Sequence, residues 1–300
     1  MRRYTLPLLF ILLSGCVING NKHPRPRDLS PSSLIDRVRL LAIQANPPEI
    51  SPGTAATFTA LLIDPNDEVD WTIWSACPED AASGFGCPVA LDQLDEGSMD
   101  PETLAEAGII GIEPFYAPTY EAPEDALDHL DSEAQAEGEY TYVQALAFPE
   151  PEETSEQPEE IDFNQIETGF KRLVVSTAAT PNTNPVINSW LIDGEPVPDG
   201  EVVEVRAGST IEIGITLSEQ SIEEYVHFNS DGVSEERIEE PYAQWFSSEG
   251  KVSEPTTLFP FLDSTWIAPE ETGTTGTWWA VVRDRRGGIS WLEQPFIIIS

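Results

Sequence analysis

Short stretches of alternating apolar and polar residues recur along the chain and are separated by turns. The first three stretches lie at 38–43, 56–62 and 69–75. Between them stand Ser51-Pro52-Gly53 and Asp64-Pro65-Asn66-Asp67, both typical turn sequences. A period of two residues indicates a strand with one buried face, and short strands at this spacing favour an antiparallel sandwich. The pattern therefore predicts an all-β fold that begins near Asp36.

The middle of the chain interrupts this pattern. Stretches 101–108 and 123–138 each begin with proline and end with glycine, which predicts short helices. Strands resume at 140–146 and 170–176, and the proline-rich acidic stretch 149–160 between them has too little apolar surface to order itself. We therefore expect a first sandwich over 36–180, with helical and acidic loop insertions in 92–162.

The strand pattern starts again after 180–185, which is interpreted as a linker or a tight junction. Glycines in 284–288 indicate a hairpin turn, and Trp278 and Trp279 stand next to each other just before it. In a strand these two side chains face opposite sides, so we expect one in a core and the other exposed as a stacking platform for sugar. A second sandwich is expected over 181–300, with strands predicted at 186–192, 202–206, 210–217, 225–228, 243–247, 278–283, 289–291 and 296–299.

The N-terminus has the layout of a bacterial export leader. Arg2 and Arg3 precede an apolar run at 6–13, which is far shorter than the ~20 residues that a membrane-spanning helix needs. The run ends in Leu13-Ser14-Gly15-Cys16, which resembles a lipobox. We expect a signal peptide over 1–15, acyl chains such as palmitate on Cys16, and a flexible tether over 16–35. The alternative is an ordinary secretory leader with a chance cysteine.

Charge narrows the range of partners. The chain carries 15 basic and 53 acidic residues, a net charge of −38, and between Leu40 and Phe170 it has no Lys or Arg. Such a surface repels nucleic acid, so neither nucleic acid nor nucleotide is expected to bind. Solubility is the preferred interpretation of the acidic excess, with cation binding as the alternative. Arg283, Arg285 and Arg286 form a basic cluster, either a surface for an acidic partner or a solvated hairpin tip.

Cysteine number and histidine spacing limit the metal sites. If Cys16 takes lipid, Cys77 and Cys87 remain to form a disulfide in an oxidising compartment. A two-thiol metal site is the alternative, but the three histidines of the chain show no ligand spacing around these cysteines. No cofactor is predicted.

A weak calcium candidate lies in the turn before the third strand. Its oxygen-bearing residues occupy alternate positions, as in a calcium loop, but Val69 and Ser75 stand where that loop needs Gly and Glu. A polar turn is the preferred interpretation. The candidate ligands are Asp64, Asn66, Glu68 and Asp70.

Three passages carry a family resemblance. They are 39–53 followed by Trp74-Ser75-Ala76-Cys77, then 171–176 leading to 181–185, and 266–269 followed by 281–288. They resemble the Ig-like modules of myxobacterial-type envelope lipoproteins, and the third also looks like the end of PKD-type domains. The resemblance implies two Ig-like sandwiches in tandem and offers no catalytic residues. The two paired cysteines depart from it, because they are close in sequence rather than bridging two sheets.

The sequence thus predicts a lipid-anchored protein of the cell envelope. In enterobacterial lipoproteins an aspartate after the acylated cysteine favours retention in the inner membrane, so the resemblance, with Val17 at that position, implies the outer membrane. The protein would be a non-enzymatic structural or binding module. Its partners would be the membrane, through the lipid on Cys16, and another envelope protein or a polysaccharide. Two alternatives are a carbohydrate- or peptidoglycan-binding accessory protein and a hydrolase with paired carboxylates in the acidic middle.

Overall fold

The computed structural model describes residues 31–79, 81–82, 86–88, 101–149, 166–228 and 233–300. Residues Ser32–Ser300 form one compact unit. Within the described residues, strands dominate and assemble into two packed pairs of sheets plus a separate hairpin. The all-β sandwich fold that the alternating pattern predicts is confirmed. No helix among these residues is long and apolar enough to cross a membrane.

The first sandwich packs a three-stranded sheet of order β1-β3-β6 on a five-stranded sheet of order β2-β8-β7-β4-β5. Pairing is antiparallel except between β2 and β8. Phe58, Trp74, Val143 and Leu173 lie in the core between the sheets. The elements are β1 (Arg39–Asn46), β2 (Glu49–Ile50), β3 (Ala55–Ile63), β4 (Val69–Pro78), α1 (Pro101–Glu106), β5 (Ile109–Glu113), β6 (Thr119–Glu121), α2 (Ser132–Glu137), β7 (Glu139–Pro149) and β8 (Glu167–Val175).

The helix expected over 123–138 is shorter than predicted. Turns occupy 124–129, and α2 begins only after Asp131, whose carboxylate accepts from the backbone N–H groups of Glu133 and Ala134. Gln135 donates its side-chain amide to the carbonyls of Leu127 and Leu130, which stabilises the turns as they are. Local caps and side-chain hydrogen bonds therefore override the proline-to-glycine spacing.

The second sandwich packs two five-stranded sheets, of order β10-β9-β12-β18-β16 and β11-β20-β19-β15-β17, while β13 and β14 form the separate hairpin. Its core is built around four buried tryptophans, Trp190, Trp245, Trp266 and Trp278. The strands expected at 289–291 and 296–299 are one continuous strand. The elements are β9 (Ile187–Ile192), β10 (Glu195–Pro196), β11 (Val203–Arg206), β12 (Thr210–Leu217), β13 (Glu224–Phe228), β14 (Ser234–Ile238), β15 (Tyr242–Ser247), β16 (Lys251–Val252), β17 (Thr256–Leu258), β18 (Asp263–Ile267), β19 (Thr275–Arg283) and β20 (Ile289–Ile299).

A third apolar cluster lies between the two sandwiches. Leu41 and Leu61 of the first sandwich pack with Trp279 and Val281 of the second. Both faces of β19 are therefore buried, since Trp278 points into its own core while Trp279 is 5% exposed against the neighbouring sandwich. The expectation that one of these tryptophans is an exposed platform for sugar is wrong, because the neighbouring sandwich covers it.

The chain packs earlier than the expected start near Asp36. Ile35 donates its N–H to the Ser247 carbonyl, and Ser247 donates back to the Ser33 carbonyl, each at 2.9 Å. Ile35 is buried in the apolar cluster between the sandwiches. The last residues of the expected tether over 16–35 are thus part of the fold, because an apolar side chain there has a partner in the second sandwich.

Candidate functional site

The turn between β19 and β20 lies at the junction of the sandwiches and is held by a buried carboxylate. Asp284 accepts from the backbone N–H groups of Arg286 (2.7 Å), Gly287 (2.9 Å) and Gly288 (2.9 Å). Burial raises the pKa of Asp284. A Cβ on Gly288 would stand 2.7 Å from the Thr183 carbonyl oxygen, so only glycine fits there. The predicted hairpin turn is present, but it lies at the junction of the two sandwiches.

Arg286 connects the sandwiches through an ionic joint, defined as Arg286 with Glu49, Glu223 and Glu239. Its guanidinium lies 3.0 Å from the carboxylates of Glu223 and Glu239 and 3.7 Å from that of Glu49, which belongs to the first sandwich. It also lies over the ring of Tyr225, 4.5 Å from the centroid. One cation is therefore shared by three carboxylates, of which Glu49 lies across the junction.

Burial of Glu239 in the ionic joint disfavours its charged form. The Glu239 side chain is 2% exposed. Burial, followed by the negative charge of Asp284, raises the pKa of Glu239 to about 7, although Arg286 acts in the opposite direction. Near neutral pH this carboxyl is therefore poised between its charged and neutral forms.

The stretch 180–185, expected as a linker or a tight junction, is the tight junction. The backbone N–H of Asn182 donates to Glu49 Oε2 at 2.7 Å. Asn184 donates its side-chain amide to the Ala45 carbonyl at 2.7 Å and accepts from the Ile289 N–H at 2.9 Å. These two residues hydrogen-bond to the first sandwich, and Asn184 also accepts from the second, so the connection is part of the interface.

Beside this junction lies an open cleft of about 530 Å³, called here the basic cleft. Its walls come from β7 and β8 of the first sandwich and from β15 and the β19–β20 turn of the second. Its lining residues are Tyr140, Tyr142, Phe170, Lys171, Arg172, Tyr242, Arg283, Arg285, Arg286, Gly287, Gly288 and Ile289. Five of these twelve are Lys or Arg, and none of the described lining residues is Asp or Glu.

Two arginines of the basic cleft lie over tyrosine rings. The Arg172 guanidinium is 5.4 Å from the ring centroids of both Tyr140 and Tyr142, and its Nε donates to the Tyr142 hydroxyl at 3.1 Å. The Arg285 guanidinium is 5.9 Å from the ring centroid of Tyr242. Stacking on an aromatic face orients a guanidinium while leaving it hydrated, so both cations are held in place at the surface.

The other cations of the basic cleft make internal contacts. Lys171 is 3% exposed and donates to the Gly287 carbonyl, and burial lowers its pKa to about 8. Arg283 donates to the Leu41 carbonyl at 2.9 Å and to Gln244. These groups are held inside the junction, so Arg172 and Arg285 are the exposed cations among the described lining residues.

A second and larger cleft, of about 1160 Å³, lies between the β13–β14 hairpin and the first sandwich. Its lining mixes signs, since Glu137, Glu223 and Glu236 stand among the arginines. His227 of the hairpin lies 3.8 Å from Glu137 of the first sandwich. The mixed lining gives no preference for a ligand of either charge.

The structure confirms the disulfide. Cys77 and Cys87 are bonded, with their Cα atoms 5.5 Å apart. The bridge ties β4 to the loop that follows it and does not join two sheets. Cys16, the expected lipidation site, lies outside the described residues.

The calcium candidates form a hydrogen-bonded turn. Asp64 accepts from the Val69 N–H at 2.7 Å, and Asn66 donates to Glu68 at 3.0 Å, while Asp70 lies in β4. Partial burial acts to raise the pKa of Asp64, but backbone hydrogen bonds, first that from Glu68, outweigh it and leave the pKa lowered. In the described part of the chain, no three His, Cys, Asp or Glu residues are grouped to hold a metal ion.

The predicted basic cluster divides in two. Arg283 and Arg286 bind partners within the chain, so the solvated-tip alternative does not describe them. Arg285 remains at the surface, 3.8 Å from Glu240, with 49% of its side chain exposed. Arg286 binds acidic residues of its own chain, namely Glu49, Glu223 and Glu239.

Sequence reasoning missed the residues that the first sandwich contributes to the basic cleft. Tyr140 and Tyr142 were expected only as strand residues, and Phe170 and Arg172 only as the closing strand. One signal was available: Lys171 and Arg172 are the first basic residues after 131 positions without any. Their contact with the second sandwich could not be inferred from spacing.

No protein-family model and no curated protein matches the sequence. Similar solved structures include the fibronectin(III)-like modules of CbhA from Clostridium thermocellum, with 7% identity and a TM-score of 0.26, over 86% of this chain and 94% of that one. Murine CEACAM1b has 9% identity and a TM-score of 0.23, over 88% and 100%. The Yersinia pseudotuberculosis adhesin InvE has 13% identity and a TM-score of 0.22, over 85% and 58%. The sandwich assignment rests on the sheets themselves.

Proposed function

We propose that this protein is a lipid-anchored, non-enzymatic binding module of the cell envelope, attached by acyl chains on Cys16 and located in the outer membrane. The observation that carries the binding role is the joint between the sandwiches. An apolar cluster, the ionic joint and the hydrogen bonds of Asn182 and Asn184 hold the two sandwiches together. Such a joint presents one continuous surface that includes the basic cleft.

The attachment is supported by the leader sequence and by the disulfide. A disulfide is typical of an oxidising compartment outside the cytoplasm. Acyl chains contribute about 0.8 kcal/mol per buried CH₂, so two or more chains anchor a protein where one would not. The hydrolase alternative stays a prediction, and its acidic middle, 92–162, lies partly outside the described residues.

Attachment is tested by membrane fractionation and labelled-palmitate uptake in a bacterial host. The wild-type chain should fractionate with membranes and take up label, and Cys16→Ser should do neither. Cys77→Ser with Cys87→Ser is the matched control, because it removes thiols that are not expected to carry lipid. A wild-type chain that takes up no label, together with a Cys16→Ser chain that still fractionates with membranes, would refute the anchor.

A further inference from the structure

The basic cleft concentrates positive charge on a strongly acidic protein. It holds five of the chain's 15 basic residues, and no described lining residue is acidic, although the chain has 53 Asp and Glu. Three acidic groups lie just outside the lining: Glu240 is 3.8 Å from Arg285, Glu79 accepts from the Tyr142 hydroxyl at 3.4 Å beside Arg172, and Glu239 pairs with Arg286 in the ionic joint. Acidic residues on the rest of the surface would repel an anionic ligand, so the cleft is where such a ligand is held.

The two arginines that carry recognition suit carboxylates. Arg172 is exposed, and among described partners only its Nε is hydrogen-bonded, to Tyr142. Arg285 is half exposed and 3.8 Å from its nearest carboxylate. A guanidinium fork binds a carboxylate through two parallel hydrogen bonds, and its stacking on tyrosine reduces the entropy lost on binding.

Exposed aromatic rings supply the apolar part of the cleft. Phe170 is 51% exposed and Tyr140 is 42% exposed, although both are large aromatic side chains. Such rings pack against flat, partly apolar groups, and the tyrosine hydroxyl adds a polar contact. The C–H face of a pyranose ring is a group of this kind.

We infer that the basic cleft binds an anionic polysaccharide of the uronic-acid type, with sugar rings on Phe170 and Tyr140 and carboxylates on Arg172 and Arg285. This rests on the proposed binding role. Strands β7 and β15 are each paired on both sides, whereas β8 pairs with β2 only at Val174 and Val175, so its edge beside Phe170 and Arg172 has no ladder partner among the described strands. An acidic peptide that adds there as a strand is the alternative ligand, but the exposed rings of Phe170 and Tyr140 favour a ligand made of rings and carboxylates.

The test is calorimetric titration of the full-length chain in detergent with polygalacturonate. Fully methyl-esterified polygalacturonate is the neutral probe, and poly-L-glutamate is the acidic peptide probe. We expect binding to polygalacturonate, which weakens as salt is added, and at least tenfold weaker binding to the other two. Arg172→Gln with Arg285→Gln should lose about tenfold or more in affinity, because it removes both cations that the carboxylates would bind.

Two further variants separate ring stacking from charge. Phe170→Leu keeps every charge and should weaken polygalacturonate binding severalfold. Arg237→Gln is the control, because Arg237 pairs with Glu235 on β14 and lies outside the basic cleft, so affinity should not change. A variant is used in the titrations only if its melting temperature equals that of the wild type. The charge-conserving change Arg172→Lys with Arg285→Lys should bind more tightly than the double glutamine variant.

Three outcomes would overturn the inference: no binding of polygalacturonate, binding that the double arginine variant leaves unchanged, or poly-L-glutamate binding that equals polygalacturonate binding and ignores Phe170→Leu. The last outcome would assign the cleft to an acidic peptide. Failure here is distinct from failure of the anchor. If the protein is acylated but binds no glycan, the proposed attachment stands and the glycan inference fails. If it binds glycan but is not acylated, the glycan inference stands and the attachment fails.

Discussion

Replacing Arg286 by glutamine is the sharpest test of how the two sandwiches are held together. The change removes the one cation of the ionic joint and leaves the carboxylates of Glu49, Glu223 and Glu239 in place. Two of these carboxylates, Glu49 and Glu239, are buried. Breaking a buried ion pair from one side costs about 3–5 kcal/mol, because the remaining charge stays buried without a partner.

The loss of stability caused by Arg286→Gln should depend on pH. The folded-state pKa of Glu239, about 7, lies above its ordinary value of 4.5. Between these pH values the folded chain binds more protons than the unfolded chain, so the free energy of unfolding falls as pH rises. Above pH 7 the charged, buried Glu239 destabilises the fold by its full amount. Without Arg286 the pKa rises further and the cost at pH 8 grows. At pH 5 Glu239 is largely protonated in both proteins, so the difference between them shrinks.

Urea unfolding of wild type and Arg286→Gln at pH 5 and pH 8 measures the loss in the free energy of unfolding and its dependence on pH. We expect a loss of about 3–5 kcal/mol at pH 8, equivalent to about 6–20 °C in melting temperature for a unit of this size. Arg285→Gln is the matched control, because its partner Glu240 is exposed and the pair should contribute less than about 1 kcal/mol.

Adding Glu239→Gln to Arg286→Gln should recover part of the loss, because one uncompensated buried charge disappears. This double variant also serves as the comparison if the single variant does not fold at pH 8. The reasoning is refuted if Arg286→Gln is no worse than Arg285→Gln at pH 8. It is also refuted if the loss is the same at both pH values.

Three other changes test the remaining contacts of the fold, each by urea unfolding. Trp279→Ala should cost about 3–5 kcal/mol, because it opens a cavity in the apolar cluster between the sandwiches. Asn184→Ala should cost about 1–3 kcal/mol, because it removes the hydrogen bonds that join the Ala45 carbonyl to the Ile289 N–H. Replacing Cys77 and Cys87 by serine should cost about 2.5–3 kcal/mol, since the bridge closes a loop with a sequence separation of only 10.

Each of these changes has a control. Phe115→Ala removes an exposed aromatic and should cost little, so a Trp279→Ala loss of similar size would contradict burial between the sandwiches. Asn66→Ala removes an exposed amide and should leave stability nearly unchanged. It is the control for Asn184→Ala, which should lose clearly more stability. Wild type in reductant should match the serine variants, and unequal stabilities would argue against the disulfide as the source of the loss.

Local information accounts for most of the fold. Alternation at 56–62 predicts β3, and the turn Asp64-Pro65-Asn66-Asp67 separates it from β4. Such patterns are readable because period-two burial and turn geometry depend on neighbours in the chain. The disulfide was likewise predictable, because Cys77 and Cys87 are the two cysteines that remain to pair if Cys16 carries lipid.

Contacts between distant parts of the chain could not be read in this way. The strand pattern alone predicts that one of Trp278 and Trp279 is exposed, yet both are buried, because the neighbouring sandwich covers Trp279. Arg286 looks like part of a solvated tip, yet it faces Glu49, which is 237 positions away.

The sequence by itself therefore determined the all-β class, most strand positions and the cysteine pair. The tertiary structure alone decided that the two sandwiches share a buried joint and that Arg172 and Arg285 meet at one cleft. The reason is physical. A strand pattern records which face is buried, whereas the group that buries it is chosen by packing between residues that lie far apart in the chain.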